Sequence, residues 1–221
     1  TSALFESDLV AFDWQTGSYW FQVAGRSIVG ELSGAELAPL PSSVVGWADW
    51  QELHPQTLVL VGDGEEVFSE QRYGRDPFVG YGDIVDAGRF PFPVSEDRLD
   101  GRLRASAPVL VVEAGGAAKA YPIGAIEGVA NDLVGGTEVV VVGQGAGIGA
   151  FAFDRSVEGQ GLTFERSGDG VTDIETGTSW DAAGRAVAGP LQGARLAALP
   201  SRRALWFAVG LSYPGIDLYQ P

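Results

Sequence analysis

The chain has 221 residues, enough for one large domain or two small ones with a buried core. It is 45% hydrophobic and only 19% charged, which excludes a largely disordered polymer. A formal net charge of -15, with Lys119 the only lysine, argues against nucleic acid or an anionic membrane as partner and favours solubility or a basic partner. No cysteine is present, so disulfides, thiolate nucleophiles and Cys-based zinc sites are ruled out within these residues.

Leu9 to Phe12 reads as a strand and Ser18 to Val23 as its return, joined by a turn from Asp13 to Gly17. Asp13 is placed to bond the amides ahead of it, and Gly17 tolerates positive φ. Ser27 to Leu32 is a further short strand ended by Gly34. Trp47 to His54 reads as a short helix, capped from the Ser42-Ser43 region and stopped by Pro55, with Trp47, Trp50 and Leu53 on one face. His54, the only histidine, is a candidate binding residue, although a lone imidazole points to packing before metal ligation or catalysis.

Leu58 to Val61 is expected as a strand, followed by an irregular stretch from Gly62 to Gly101 dense in aromatics, prolines and glycines. That density suggests an ordered connector wrapped on the protein. Within it, Arg72, Tyr73, Arg75 and Tyr81 are candidate binding residues, the arginines with Tyr81 as an anion site; the competing reading has the arginines bonding loop carbonyls and local carboxylates.

Pro108 to Glu113 and Ala117 to Tyr121 form an expected hairpin around Gly115-Gly116. Pro122 to Leu133 reads as a short helix ended by Gly135-Gly136, and Glu138 to Val142 as a buried strand. Gly145, Gly147 and Ala150 imitate a dinucleotide-binding fingerprint, but Phe151 to Arg155 reads as a strand where that motif requires a helix. The longest uncharged run, Val139 to Phe153, is too short for a comfortable transmembrane helix, so no membrane span is expected.

Much of the first 55 residues is written again after Asp173. Asp13, Thr16, Gly17 and Trp20 return as Asp173, Thr176, Gly177 and Trp180, and Gly25-Arg26 as Gly184-Arg185. Gly30, Leu32, Gly34, Ala35 and Leu37 return as Gly189, Leu191, Gly193, Ala194 and Leu196. Leu40-Pro41-Ser42 returns as Leu199-Pro200-Ser201, Trp47 as Trp206 and Pro55 as Pro214, while Tyr213 takes the place of His54. Such self-similarity predicts an internal duplication. Asp13 and Asp173 are then two copies of one turn in preference to a paired carboxylate site, and Trp20 and Trp180 are expected in the core.

The expected fold class is mainly β, a β-rich α+β protein of two homologous units of short antiparallel strands, each with one or two short helices. Residues 1–61 form the first unit, 62–104 the connector and 105–221 the second unit. Residues 105 to 166 precede the second copy and look integral to it, whereas Thr1-Ser2 already aligns with Arg166-Ser167. The first unit is therefore expected to be incomplete in front, its leading part removed from a precursor, held by another chain, or simply outside these residues.

The run from Leu9 to Ser18, Ile28-Val29-Gly30, Trp47 to Trp50 and His54-Pro55 resembles the prokaryotic proteins catalogued as domain of unknown function 3179. Tyr73 to Phe78, Ala120-Tyr121-Pro122, Trp206-Phe207-Ala208 and Tyr213-Pro214 fit the same pattern, so the resemblance spans nearly the whole chain. It implies an exported or lipid-anchored, two-unit protein, periplasmic or extracellular, with no established activity to carry over. It further implies a Cys-Pro-x-Cys segment and a His-Glu pair in a first half-unit, whose counterpart here, Val141 to Ala146, has neither thiol nor imidazole.

Two functions follow as expectations. One is a non-catalytic binding or structural protein, an exported accessory subunit of a larger assembly such as a membrane-associated respiratory or photosynthetic complex. Its partner is another protein chain, either its own N-terminal fragment or that complex, and it needs no cofactor. The other is a metal-dependent enzyme or hydrolase whose centre lies in the absent half-unit, with Thr1 as an N-terminal nucleophile a special case.

Overall fold

Apolar alternation broken every few residues by turn glycines builds this chain from short antiparallel strands. The computed structural model describes residues 3–60, 74–144, 149–168 and 170–221. In chain order the first elements are β1 (Ala3–Phe5), β2 (Asp8–Asp13), β3 (Ser18–Phe21), β4 (Arg26–Val29), α1 (Trp47–Leu53) and α2 (Tyr81–Asp86). There follow β5 (Pro108–Ala114), β6 (Ala117–Pro122), β7 (Val129–Val134), β8 (Thr137–Gln144) and β9 (Gly149–Asp154). The small strands β10 (Ser156–Val157) and β11 (Gln160–Gly161) lead to β12 (Phe164–Ser167), β13 (Gly170–Asp173), β14 (Ser179–Trp180) and β15 (Ala186–Ala188). The chain closes with β16 (Ala197–Ala198), β17 (Ser201–Leu205), α3 (Trp206–Ser212) and β18 (Asp217–Leu218). The protein is mainly β, as its sequence predicts, with several small antiparallel sheets and few short helices.

Residues from Pro108 onward stack in four layers. Helix α3 lies on the sheet β17-β5-β6-β18, where Trp206, Val209 and Leu211 meet Val109, Val111 and Ala120. The alternate residues of β5 and β6, Leu110, Val112 and Tyr121, point the other way, onto Val139, Val141 and Ala152 of the sheet β16-β9-β8-β7. The opposite face of that sheet, with Val140, Val142 and Phe153, packs on Phe164, Val171, Trp180 and Leu196 of the β12–β15 region. Two sheets buried on both faces explain the near-continuous apolar runs of β5 and β8.

The sheet β1-β2-β3-β4 has the same strand order as β12-β13-β14-β15. Ala11 pairs with Trp20 as Val171 pairs with Trp180, and a register shift falls between Tyr19 and Trp20 as it does between Ser179 and Trp180. The Leu32 amide donates to Ser18 Oγ at 3.0 Å, and the Leu191 amide to Thr178 Oγ1 at 3.1 Å. Gly30 and Gly189 have φ of 108° and 106°, and a Cβ on either would strike the backbone of residue 18 or 178. Only glycine fits there.

Burial separates the two sheets. Trp180 is 1% exposed, Trp20 only half-buried; Leu196 is 7% exposed and Leu37 58%. Every residue of α3 is buried and none of α1. The other side of the first sheet is covered, with Val10 and Phe21 buried, and Ser7 Oγ and the Glu6 carboxylate bond Phe92 and Ser95, which pins the stretch before Gly101 to the turn between β1 and β2.

Four local expectations need correction. Pro122 to Leu133 is not a helix: a single 3-10 turn, Ile123–Ala125, gives way to β7, because Val129–Val134 finds β8 as a ladder partner and Gly135-Gly136, both at positive φ, close a hairpin. Residues 58–60 form no strand, and Leu58 and Leu60 stand in solvent; Val61 lies outside the described residues. Helix α1 starts from Gly46 without a side-chain cap, not from the serines. Trp20 is not fully in the core, for want of the layer that covers Trp180.

Candidate functional site

The last turn of α1 sets Trp50 and His54 one above the other, four residues apart on one helical face. Their rings lie 4.1 Å apart at 35°, the His54 amide bonds the Trp50 carbonyl at 2.8 Å, and Trp50 Nε1 donates to Thr57 Oγ1 at 2.9 Å. Arg185, from the turn entering β15, reaches across to this pair. One guanidinium nitrogen stands 3.5 Å from His54 Nδ1 and another donates to the Leu53 carbonyl at 3.4 Å, while Asp181 lies 3.9 Å from Nε. Trp50, His54 and Arg185 border a cavity of about 470 Å³ that also takes in Pro41, Phe151 and Arg195.

The cavity is aromatic and locally basic in an acidic protein, which suits an anionic or planar group. The hydroxyls near it are committed. Ser42 donates to the Ser201 carbonyl at 2.7 Å, Ser201 to the Ser42 carbonyl at 3.1 Å and Ser43 to the Ala150 carbonyl at 3.1 Å. Among the described residues no three His, Asp or Glu side chains converge as a metal site would require.

A second arrangement occupies the corresponding place beside α3. Tyr213, at the position matching His54, donates to Glu113 Oε1 at 2.9 Å, with the Val23 carbonyl a longer alternative acceptor at 3.3 Å. Arg202 bonds the same Glu113 carboxylate and donates to the Val23 carbonyl at 2.6 Å. Burial pushes the Tyr213 phenol well up, with Glu113 adding to that and Arg202 opposing it. The phenol stays neutral and acts as a fixed strut.

Of the other sequence-predicted residues, Arg72 and Tyr73 lie outside the described residues. Arg75 is exposed in the turn ahead of α2. Tyr81 lines a different cavity, of about 360 Å³, with Asp8, Gln22 and Arg202. Burial raises its phenol and the Asp8 charge raises it further, so an anion there would meet a carboxylate. The structure thus brings neither Arg75 nor Tyr81 to His54. Sequence reasoning missed Arg185, Arg195, Glu113 and Arg202 as neighbours of the two clefts; the Gly25-Arg26 and Gly184-Arg185 correspondence was the available signal for Arg185.

Among the described residues no helix is long and apolar enough to cross a membrane. A family model described as a protein of unknown function, DUF3179, matches residues 1–215. Neither the curated proteins nor the solved structures hold a match to the chain.

Proposed function

The chain belongs to the DUF3179 family, and on that footing we propose that it is a non-catalytic binding protein, an exported accessory subunit held in a larger assembly. One observation carries this reading: where its apolar surface lies. Among the described residues the large exposed apolar side chains crowd the part before residue 93, with Trp14, Leu37, Leu40, Trp47, Leu58 and Phe78 among them. After Phe92 only Leu133, Ile174 and Val187 are comparably bare. Large apolar side chains left bare and concentrated in one part of the chain are what an interface leaves before its partner arrives. The resemblance of the two sheets, which we read as copies of one unit, supports the same view, because one copy is sheathed and the other is not.

Light scattering on the isolated chain, with a dye that fluoresces on apolar surface, tests the proposal. Association or strong dye binding that disappears in the assembled protein from its host is expected. A dispersed monomer that binds no dye at any concentration would sink it.

A further inference from the structure

Four features of the first lobe are less covered than their counterparts in the second lobe, all of which are covered by one and the same block, β5–β9; Ser42 and Ser43 already bond Ser201 and Ala150 on one side. The face of β1–β4 carrying Leu9, Ala11 and Trp20 corresponds to the face of β12–β15 packed on β8 and β9. Ala38-Pro39 corresponds to β16, which pairs with β9. Residues 42–46 correspond to β17, whose Ser201 to Leu205 pair antiparallel with Val112 to Pro108 of β5. Helix α1 corresponds to α3, which is wholly buried over β5 and β6; Trp47 is 52% exposed where Trp206 is 0%.

We propose that the partner is a β-block of the same build as β5–β9, carried on polypeptide outside residues 1–221. This rests on the binding reading given above and names its occupant. A hairpin like β5–β6 adds its first strand antiparallel along Ser42 to Gly46, by main-chain bonds, and lays an apolar face on Trp47. A second, three-stranded layer like β7–β9 closes over Leu9, Ala11, Trp20 and Leu37. A second copy of this chain does not fit the role, because its own β5–β9 is already clamped between α3 and β12–β15. The pairing of Pro41 with Ser201, and the reciprocal bonds of Ser42 and Ser201, already join matched segments of the two sheets' units, so the block would occupy the other edge of residues 42–46.

The absence of cysteine makes thiol probes clean. Leu37→Cys and Trp47→Cys report the sheet face and helix α1, whose counterparts Leu196 and Trp206 are buried, and Ile174→Cys, exposed on the second lobe, is the control. Labelling, read peptide by peptide, compares the isolated 221-residue chain with the protein in the form its host makes. All three thiols should react alike in the isolated chain. In the host form Leu37→Cys and Trp47→Cys should slow by about tenfold or more while Ile174→Cys stays unchanged. A photo-cross-linker placed at Val44 should join a segment with the near-continuous apolar run of β5. Protection with cross-links to a helical segment, or to residues 1–221 of another copy, overturns the β-block and leaves the binding reading standing. Labelling that stays fast at both sites overturns both.

Discussion

Ser42 and Ser201 hydrogen-bond to each other's carbonyls, Ser42 Oγ to Ser201 O at 2.7 Å and Ser201 Oγ to Ser42 O at 3.1 Å, across 159 residues of sequence. The Ser42 amide adds a third bond to Ser201 O at 3.2 Å. These bonds join positions that match each other in sequence, Leu40-Pro41-Ser42 and Leu199-Pro200-Ser201.

Ser201 is buried and Ser42 exposed, so the two hydroxyls should not count equally. Ser201→Ala leaves the Ser42 carbonyl short of a donor and should cost about 1 kcal/mol, while water can replace the Ser42 hydroxyl at a smaller cost. The double variant should lose less than the two singles combined, since both bonds need the same close approach. Urea midpoints of the four proteins provide the check.

Leu196 and Leu37 hold corresponding places and differ in what lies over them. Leu196→Ala should destabilise the chain by about 2–5 kcal/mol, and Leu37→Ala by no more than about 0.5 kcal/mol. Equal losses in denaturant melts would mean that Leu37 is covered within these 221 residues.

Gly189 and Gly193 both sit at positive φ, near 106° and 93°. A Cβ on Gly189 would come 2.7 Å from Thr178 Cα, whereas one on Gly193 meets nothing within 4 Å. Gly193→Ala should therefore cost only its backbone strain, about 1 kcal/mol, and Gly189→Ala clearly more. Thermal melts of the two variants rank them directly.

Lys119 Nζ lies 2.8 Å from Asp132 and 3.4 Å from Asp217. Burial opposes the ionised Asp132, but bonds from Lys119, the Leu133 amide and Tyr121 outweigh it and hold the carboxyl below its ordinary value. A lowered folded-state pKa gives stability that is complete above the unfolded value, near 4, and fades as pH falls through the folded one. Lys119 is raised: burial works against its charge, and the two carboxylates more than compensate, so its share fades only in strong alkali. Asp132→Asn should lose less stability between pH 7 and pH 3 than the parent. An equal drop in urea midpoint would show that Asp132 is not held low.

Much of the β architecture could be read from residues close together in the chain. The hairpin at Asp13 to Gly17 and strands β5, β6, β8 and β9 all form where short apolar runs and turn glycines place them. β7 was misread because Pro122 and a run without clear alternation look helical locally, and only the ladder with β8 makes that run a strand. The cleft was half legible. Trp50 and His54 are neighbours by helical spacing, but Arg185 arrives from 131 residues away, which no local pattern encodes.

By itself the sequence determined the conformations that a few adjacent residues settle: left-handed glycines, Asp-Thr turns, short strands and the paired motifs of the two lobes. The tertiary structure alone decided which of two like surfaces is sheathed, since burial depends on what stands opposite a side chain and not on the side chain itself. Trp180 and Trp20 follow the same local rules, yet only Trp180 has a layer of β8 and β9 against it.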